Sequence, residues 1–482
     1  MLNTVTIKDI VYTELGGLYG HDIIRELNDV IKCYEIYEGT EKNLIYEEDW
    51  NVDFETTKKN HNFIKELINK QNRFMFGFTP TFEALCDSED PTLTEYLSKV
   101  LKYNKFSSKL LKGEKDCSIG KRIAIKLGVD EKTKKIRLRF VNSLEFIYET
   151  SDDDAEDITK VIFFYQLNDK QDKEEQRIFK QVYDLDNDKC YCSEGIYNGL
   201  GEEIEIRRER SYTGLDFIPV YIVLNGGLSG DLKGESDVKD LIEDQRDYNR
   251  LDSGDTDALI KGMFESLYGV NLSEASAKGI KKAPGMFYDI QGDPAAMENG
   301  GSVEMGVLSH TFSYSETLEK KLARCKQAMY GALDIPIVTP SELQGFITSG
   351  KGLKGLYWQQ IVRCESKMME WKPALEWIGD TIIKLTKAFN LESLPDEEYR
   401  IVVSHRYALP DDKEGELAND LLQVNAQVMS KKDFIVKWAE VTPEAADKIL
   451  EQIQTEKELL EDAFSGMSGF LNDEDNNNSG EE

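Results

Sequence analysis

The stretch GFITSGKGLKG, residues 345–355, comes nearest in this chain to a phosphate-binding motif. Gly345, Gly350 and Lys351 fit the pattern G-x-x-x-x-G-K, in which backbone amides cradle phosphates and the lysine reaches them. The pattern continues with a Ser or Thr whose hydroxyl binds Mg²⁺, but Gly352 stands at that position. The metal-binding half of the motif is therefore missing.

The residues before this loop also differ from those of a nucleotide fold. A phosphate-binding loop follows a buried strand, whereas the apolar run here, DIPIV, is short and interrupted by Pro336. We interpret the segment as a flexible loop that enters a helix, with Ser349 as the helix N-cap. The alternative is a P-loop-like nucleotide-binding enzyme that uses Lys351.

Two further patterns resemble metal sites only in part. Asp184, Asp186 and Asp188 alternate as in a calcium-binding loop, but the sixth position is Lys189 and the twelfth is Gly195. A hairpin turn between two strands explains the acids better. Cysteines 190 and 192 form a C-x-C without a second half, and the four histidines, at 21, 61, 310 and 405, have no metal-ligand spacing. We predict no catalytic residue, metal or cofactor, and no enzymatic activity.

The composition is that of a globular but strongly acidic protein. The 482 residues include 90 Asp and Glu against 59 Lys and Arg, a formal net charge of −31. Such a surface repels nucleic-acid phosphates, which argues against a tight DNA-binding domain but not against a protein that DNA slides past. Seven scattered cysteines, no signal peptide and no long apolar run predict free thiols, a reducing cytosol and no membrane span.

Hydrophobic periodicity predicts an α+β fold. Helices are expected at about 20–38, 58–72, 235–265 and 312–331, as a short pair over 92–111, and in three C-terminal segments at about 412–430, 431–439 and 443–464. Alternating strands from 121 to 225 predict one antiparallel sheet. Short β-like pieces lie between 268 and 308, and a further strand at 399–407. A single apolar row from Leu353 to Phe389 predicts one continuous helix, with Pro373 inside it as a kink.

Two helices of opposite charge flank the 268–308 segment. Residues 235–261 carry nine acids and four bases, and residues 316–327 carry two acids and four bases. These helices can pair within one chain or between neighbouring subunits, or simply present solvated faces. The residues that we single out for pairing are Asp244, Asp247, Lys320, Lys321 and Arg324.

Four motifs follow one another along the chain: LINKQNRFMFGFTPTF (67–82), FIPVYIVLNGG with the following GESDVKDLIEDQRDYN (217–249), SGKGLKGLYWQQ (349–360) and the C-terminal helices from QVMSKKDF onward. In this order they resemble the motifs of portal proteins of tailed bacteriophages, and over about 20–465 the chain resembles the SPP1-like portals. The second motif is the most characteristic, through Ile218, Pro219, Val220, Asn225, Gly234, Ser236, Asp237, Asp247, Tyr248 and Asn249. Gly352 departs from the family, where Ala is usual.

The resemblance implies a portal fold, with long helices, an antiparallel β-rich wing and a small β-containing clip. The implied regions are a wing (1–234), stem helix 1 (235–265), a clip (266–309), stem helix 2 (310–333), a tunnel loop (334–351), a long wing helix and strand (352–410), a crown (411–465) and an acidic tail expected to be disordered (466–482). The tunnel-loop residues implied to face DNA are Ser341, Gln344, Thr348, Ser349 and Lys351.

The resemblance also implies a function and partners. The chain would form a homo-oligomeric ring of about twelve subunits at one capsid vertex of the virion, after synthesis in the host bacterial cytoplasm. Double-stranded DNA would pass through its channel during packaging and ejection. The expected protein partners are the terminase large subunit, the major capsid and scaffolding proteins and a head-tail adaptor.

Overall fold

A computed structural model gives the architecture of the chain. It describes residues 20–39, 56–88, 90–151, 153–154, 157–168, 170, 172–263, 266–274, 276, 290–308, 312–338, 354–408, 413–439, 441–442 and 445–458. The chain divides into two compact units, the first made of Met1–Ile337 with Tyr357–Ala408, the second of Val338–Leu356 with Leu409–Glu482. The described part mixes long helices with antiparallel sheets, as the α+β prediction requires.

The first unit begins with helices and then forms strands. Its helices and strands up to the first long polar helix are α1 (Gly20–Glu38), α2 (Phe63–Phe76), β1 (Thr81–Cys86), α3 (Thr92–Tyr103), α4 (Phe106–Gly120), β2 (Arg122–Val129), β3 (Ile136–Asn142), β4 (Phe146–Thr150), β5 (Ile158–Gln166), β6 (Ile178–Asp186), β7 (Lys189–Tyr197), β8 (Glu203–Tyr212) and β9 (Val220–Leu224).

The remaining elements of the first unit are mostly helical. They are a 3-10 turn (Lys239–Leu241), α5 (Ile242–Met263), β10 (Ser266–Val270), α6 (Pro294–Glu298), β11 (Glu304–Leu308), α7 (Ser315–Ala332), α8 (Trp358–Ala388) and β12 (Tyr399–Ser404). The second unit contains α9 (Lys413–Asn425), α10 (Lys431–Ala439) and α11 (445–458).

The predicted single sheet is wrong, because the strands from 121 onward form two sheets. One has the order β3-β2-β9 and the other the order β4-β5-β6-β7-β8, all antiparallel. A turn in which the Asn142 side chain accepts from the Leu144 amide separates β3 from β4. Strand β2 is buried along most of its length, so it needs an apolar neighbour on each edge, and the late strand β9 supplies the second one.

Alternate residues of β2 point to opposite faces of its sheet. Lys126 lies over the Phe163 and Tyr183 rings of the five-stranded sheet, at 4.6 and 5.2 Å, and Arg122 lies over Phe146 and pairs with Glu26. Cationic side chains of the three-stranded sheet therefore contact aromatic rings of the five-stranded sheet. The residues of β2 that alternate with them, Ile123, Ile125 and Leu127, are fully buried.

The long helix is shorter than the sequence predicts. A turn at Tyr357 separates the helical residues 354–356 from α8, which runs 31 residues from Trp358 with Pro373 inside it. Tyr357 stacks its ring on Phe74 instead of continuing the helix. Within α8 the predicted apolar row is buried, and Trp371, Leu375, Ile378 and Ile382 are at most 2 % exposed.

The three C-terminal helices occur as predicted, with α9 ending earlier than expected. Lys437 and the Trp438 indole both bind the Asp420 carboxylate, at 2.7 and 2.9 Å, which joins α10 to α9. The Ala445 amide donates to the Thr442 hydroxyl at 3.4 Å, so Thr442 serves as the N-cap of the last helix.

Candidate functional site

The predicted tunnel-loop residues lie outside the described part of the chain. Ser341, Gln344, Thr348, Ser349 and Lys351 all fall between 339 and 353. The described residues on the N-terminal side, 335–338, are not a strand. The buried strand that a nucleotide-binding loop follows is thus absent from this stretch, and the observation gives the nucleotide-binding alternative no support.

The predicted stem residues lie on two helices that pack together, α5 and α7, which are joined by a β-hairpin of β10 and β11. Lys321 pairs with Asp247 at 3.4 Å within the chain, and Lys320 pairs with Glu316 of its own helix at 2.6 Å. Arg324 donates to the Lys320 carbonyl at 3.4 Å. Asp244 is half-buried on α5. Their role between subunits stays a prediction.

A row of polar side chains on α5 binds the backbone of residues 57–63. The amides of Thr57, Lys59, His61 and Phe63 donate to the side chains of Asp257, Ser253, Asn249 and Gln245, at 2.9, 3.1, 3.0 and 2.8 Å. Four helical residues advance about 6.0 Å and two extended residues about 6.6 Å. The two spacings match, so the helix holds every second amide of an antiparallel segment. We call this arrangement the amide ladder.

The Asp-x-Tyr-Asn core of the portal-like motif takes part in these contacts. Asn249 is fully buried and accepts from the His61 amide. The Tyr248 ring packs edge-on against Phe63, with 4.9 Å between centroids. Asp247 faces the other way and pairs with Lys321. The three residues therefore fix α5 to an N-terminal segment on one side and to α7 on the other.

The same motif supplies the centre of a buried polar network. The Asp237 carboxylate accepts from Gln71, Asn225, Arg363 and Lys367, at 2.8, 3.0, 3.2 and 2.5 Å. These partners come from α2, the end of β9, and α8. The carboxylate thus joins three elements that are far apart in sequence.

Lys367 extends the network to helix α4. Its ammonium group donates to the Ser118 hydroxyl at 2.7 Å and lies 3.6 Å from the buried Glu114 carboxylate. Burial alone would raise the pKa of Asp237, but Lys367 and Arg363 outweigh it and hold that pKa at about 2. Burial likewise lowers the pKa of Lys367, and the Asp237 and Glu114 carboxylates raise it above its usual range. Both groups are therefore charged at neutral pH.

The residues that precede Asp237 in the motif set the path of the backbone that places its carboxylate. Gly234 has a φ of +68°, and a Cβ there would lie 2.4 Å from the Lys121 carbonyl. The Asn225 amide donates to that same carbonyl at 2.8 Å, and the Ser236 hydroxyl donates to the Ile119 carbonyl at 2.7 Å. Glycine is needed here because another residue would be strained and would clash.

An aromatic stack lies where the chain enters and leaves the first unit. The Phe74 ring is sandwiched between Tyr357 and Tyr407, with centroids 5.8 and 5.4 Å away and planes within 12°. The Ala408 amide donates to the Phe74 carbonyl at 3.1 Å. A Cβ on Gly77 would contact Ala408 at 3.0 Å. The turn at residues 74–77 thus holds two points at the ends of the 357–408 segment, Tyr357 and Ala408.

Among the described residues, no cluster of three or more His, Cys, Asp or Glu is placed to hold a metal ion. The acids at 184–188 lie at a tight hairpin turn between β6 and β7, in which Asn187 and Asp188 have positive φ. Cys190 and Cys192 are buried free thiols, as predicted, and burial raises the pKa of Cys190 to about 11. In the part of the chain that the structure covers, no helix is long and apolar enough to cross a membrane.

Sequence reasoning did not find Gln71, Arg363 and Lys367 as partners of Asp237, or Glu114 as a partner of Lys367. All four are polar residues in helices, where the sequence alone predicts a solvent-exposed side chain. A polar residue within an otherwise buried helical face, such as Gln71 beside Leu67 and Phe74, is the available signal. It does not identify the partner.

Comparison with known protein families matches residues 18–459 to the family described as phage portal protein, SPP1 Gp6-like. The match spans nearly all of the described elements. No curated protein matches the chain.

Proposed function

The chain belongs to the family of SPP1 Gp6-like phage portal proteins, and from this premise we propose that its copies form the ring-shaped channel through which the genome is packaged and ejected. Membership of this family supports a portal role in the phage virion and a homo-oligomeric ring in the phage head. The number of subunits that we propose is about twelve. The observation that carries the proposal is the family match over residues 18–459.

The order of the elements supports the assignment of regions. Helices α5 and α7 pack along each other and are connected through the β10–β11 hairpin. We assign the pair as the stem and the 266–309 segment as the clip. The helices and sheets before 235, together with α8 and β12, form the wing, and α9 to α11 form the crown.

Electrostatics also fits a channel. A pore with few lysines and arginines neutralises few phosphates and releases few counterions, so a polyanion passes without being trapped. The net charge of −31 favours a pore lined mainly by acidic and neutral side chains. The loop at 334–351 contains Gly, Ser and Thr with one lysine, and we propose that it contacts the DNA.

The protein partners follow from the ring. We propose that the terminase large subunit, which would supply ATP hydrolysis, docks on the clip during packaging. A head-tail adaptor would take the same position afterwards, and the major capsid and scaffolding proteins would contact the wing. In this account the portal itself performs no catalysis.

Deletion of residues 341–350 tests the proposal in an infection. Capsids built with the shortened chain should contain portal rings but package much less DNA than those with the full chain, because the loop would no longer follow the DNA. Deletion of ten residues from the acidic tail, 466–475, serves as the control, and this variant should package DNA normally. Unchanged packaging by the 341–350 deletion would contradict the tunnel role of the loop.

A further inference from the structure

The basic residues of this acidic protein are concentrated in one segment. Residues 99–139 contain 14 Lys and Arg against 4 Asp and Glu, whereas the rest of the chain contains 45 against 86. A local charge of about +10 in a chain of −31 sets up a dipolar distribution of charge that single ion pairs do not explain.

The fold brings several basic residues of this segment together. The Asn104 side chain donates to the Ile136 carbonyl and accepts from the Leu138 amide, both at 3.0 Å, which fixes the end of α3 against β3. Arg137 and Arg139 alternate with the buried Ile136 and Leu138 and so share the outward face of the strand. We call the resulting surface the basic face; it consists of Lys102, Lys105, Lys109, Lys135, Arg137 and Arg139.

An exposed tyrosine lies within the basic face. The Lys135 ammonium and the Arg137 guanidinium lie 4.5 and 5.4 Å from the centre of the Tyr103 ring, which is 42 % exposed. Burial lowers the pKa of Lys109, and the neighbouring Arg139 and Arg137 lower it further. The cations are therefore close enough to repel one another.

Little inside the chain compensates this charge. Arg137 pairs with Asp130 at 3.2 Å. Across the described residues, Lys102, Lys105, Lys135 and Arg139 form no ion pair. Like charges held together on a surface cost free energy, and a counter-surface of opposite sign would recover it.

We infer that the basic face is the surface on which a second copy of this chain docks through its acidic surface. The inference rests on the proposed ring. Two chains of −31 repel each other unless a positive surface on one meets a negative surface on the other. A face of one sign on a body of the opposite sign gives a heterologous, head-to-tail contact, and such contacts form a ring where the rotation between neighbours closes. Nucleic acid is the less favoured partner, because the remaining chain repels phosphates.

Charge reversal with a matched control tests the inference. The test variant carries Lys102→Glu, Lys135→Glu and Arg139→Glu. The control carries Lys32→Glu, Lys233→Glu and Lys372→Glu, three other exposed positions of the first unit that change the net charge equally. Oligomeric state is measured for the full chain by analytical ultracentrifugation and native mass spectrometry, and folding by circular dichroism.

We expect the test variant to need at least a tenfold higher protein concentration than wild type to assemble in 0.1 M NaCl, while the control stays within twofold. The difference should shrink in 0.5 M NaCl, because salt screens exposed charges. Carbodiimide cross-linking of mixed ¹⁴N and ¹⁵N wild-type chains should join Lys102 or Lys135 to a carboxylate of the other isotope.

Three outcomes overturn the inference. The first is equal assembly of the test variant and wild type, and the second is an equal loss in the test and control variants. In the third, wild-type cross-links from these lysines stay within one isotope; if short duplex DNA then binds wild type but not the test variant, the partner is nucleic acid. A wild-type chain that never self-associates contradicts the proposed ring itself. Failure of the ring is thus distinguished from failure of the inference about the basic face, in which wild type still assembles.

Discussion

The Oδ2 atom of Asp237 lies 2.5 Å from Nζ of Lys367, and the contact joins residues that are 130 positions apart. Both side chains are almost completely shielded from solvent, with exposed fractions of 7 % and 10 %. Breaking a buried pair by removing one partner is costly, because the other charge remains in a medium of low polarity. The stability of variants that lack one of these charges therefore measures how strongly the pair holds α8 against the residues that follow β9.

Removal of the lysine charge should strongly destabilise the protein. We expect Lys367→Met to lower the free energy of unfolding by about 3–5 kcal/mol, measured by urea denaturation. The control is Lys384→Met on the same helix, where a partly exposed pair with Asp380 should be worth less than about 1 kcal/mol. The double variant Asp237→Asn with Lys367→Met should lose less than the sum of the single losses. Strict additivity would show that the two side chains are not coupled.

The amide ladder should protect the backbone of residues 57–63 from hydrogen exchange. We expect Asn249→Leu to speed exchange in this segment at least tenfold, because the His61 amide loses its acceptor, and to cost about 1–3 kcal/mol. Deuterium uptake by mass spectrometry gives the rate. Glu243→Ala, an exposed position on the same helix, is the control and should leave the segment protected. Equal uptake in wild type and Asn249→Leu would mean that the ladder does not hold the segment.

Lys126 should make the stability depend on alkaline pH. Burial lowers the pKa of Lys126 to about 8, below its value of about 10.4 in the unfolded chain. The folded state therefore disfavours the charged form, a cost that is complete below pH 8 and disappears as the pH rises above 10. We expect Lys126→Met to be more stable than wild type by about 3 kcal/mol at pH 7 and to lose most of this advantage near pH 10. Denaturation at both pH values is the measurement; an equal difference at the two would contradict the titration.

Charge reversal on α7 should separate stability from assembly. The Lys321–Asp247 pair is exposed on both sides, so it contributes less than about 1 kcal/mol within a chain. We expect the triple variant Lys320→Glu, Lys321→Glu and Arg324→Glu to fold normally yet assemble less, if α7 pairs with α5 of a neighbour. Ring yield is compared with that of the Lys32, Lys233 and Lys372 control. Ring yield equal to the control would leave these residues without a role between subunits.

Local patterns in the sequence predicted the elements better than their arrangement. Helices α1 and α8 and strands β2 and β7 were predictable, because hydrophobic periodicity is set by neighbours in the chain. The division into two sheets was not, since β2 pairs with β9, almost 100 residues later. The sequence contained Asp237 in a portal-like motif but did not predict that its carboxylate is the centre of a buried polar network. Its partners Gln71, Arg363 and Lys367 come from helices α2 and α8, and no spacing along the chain connects them with Asp237.

The structure also shows how many contacts one motif makes. Gly234 permits a close approach to the Lys121 carbonyl, and Asp237 then reaches the buried cations of α8. Ten residues further on, Asp247 contacts α7 and Asn249 holds the N-terminal segment. One short stretch therefore connects the three-stranded sheet, the long helix α8 and the helices α5 and α7. Substitutions there are expected to disturb several contacts at once.

Electron microscopy of the purified full-length protein, together with phage particles that carry it, tests the central claim most directly. The account predicts closed rings of about twelve subunits with an axial channel wide enough for duplex DNA, and the same ring at one vertex of each capsid. A protein that stays monomeric under all conditions, with no ring at any capsid vertex, would contradict it.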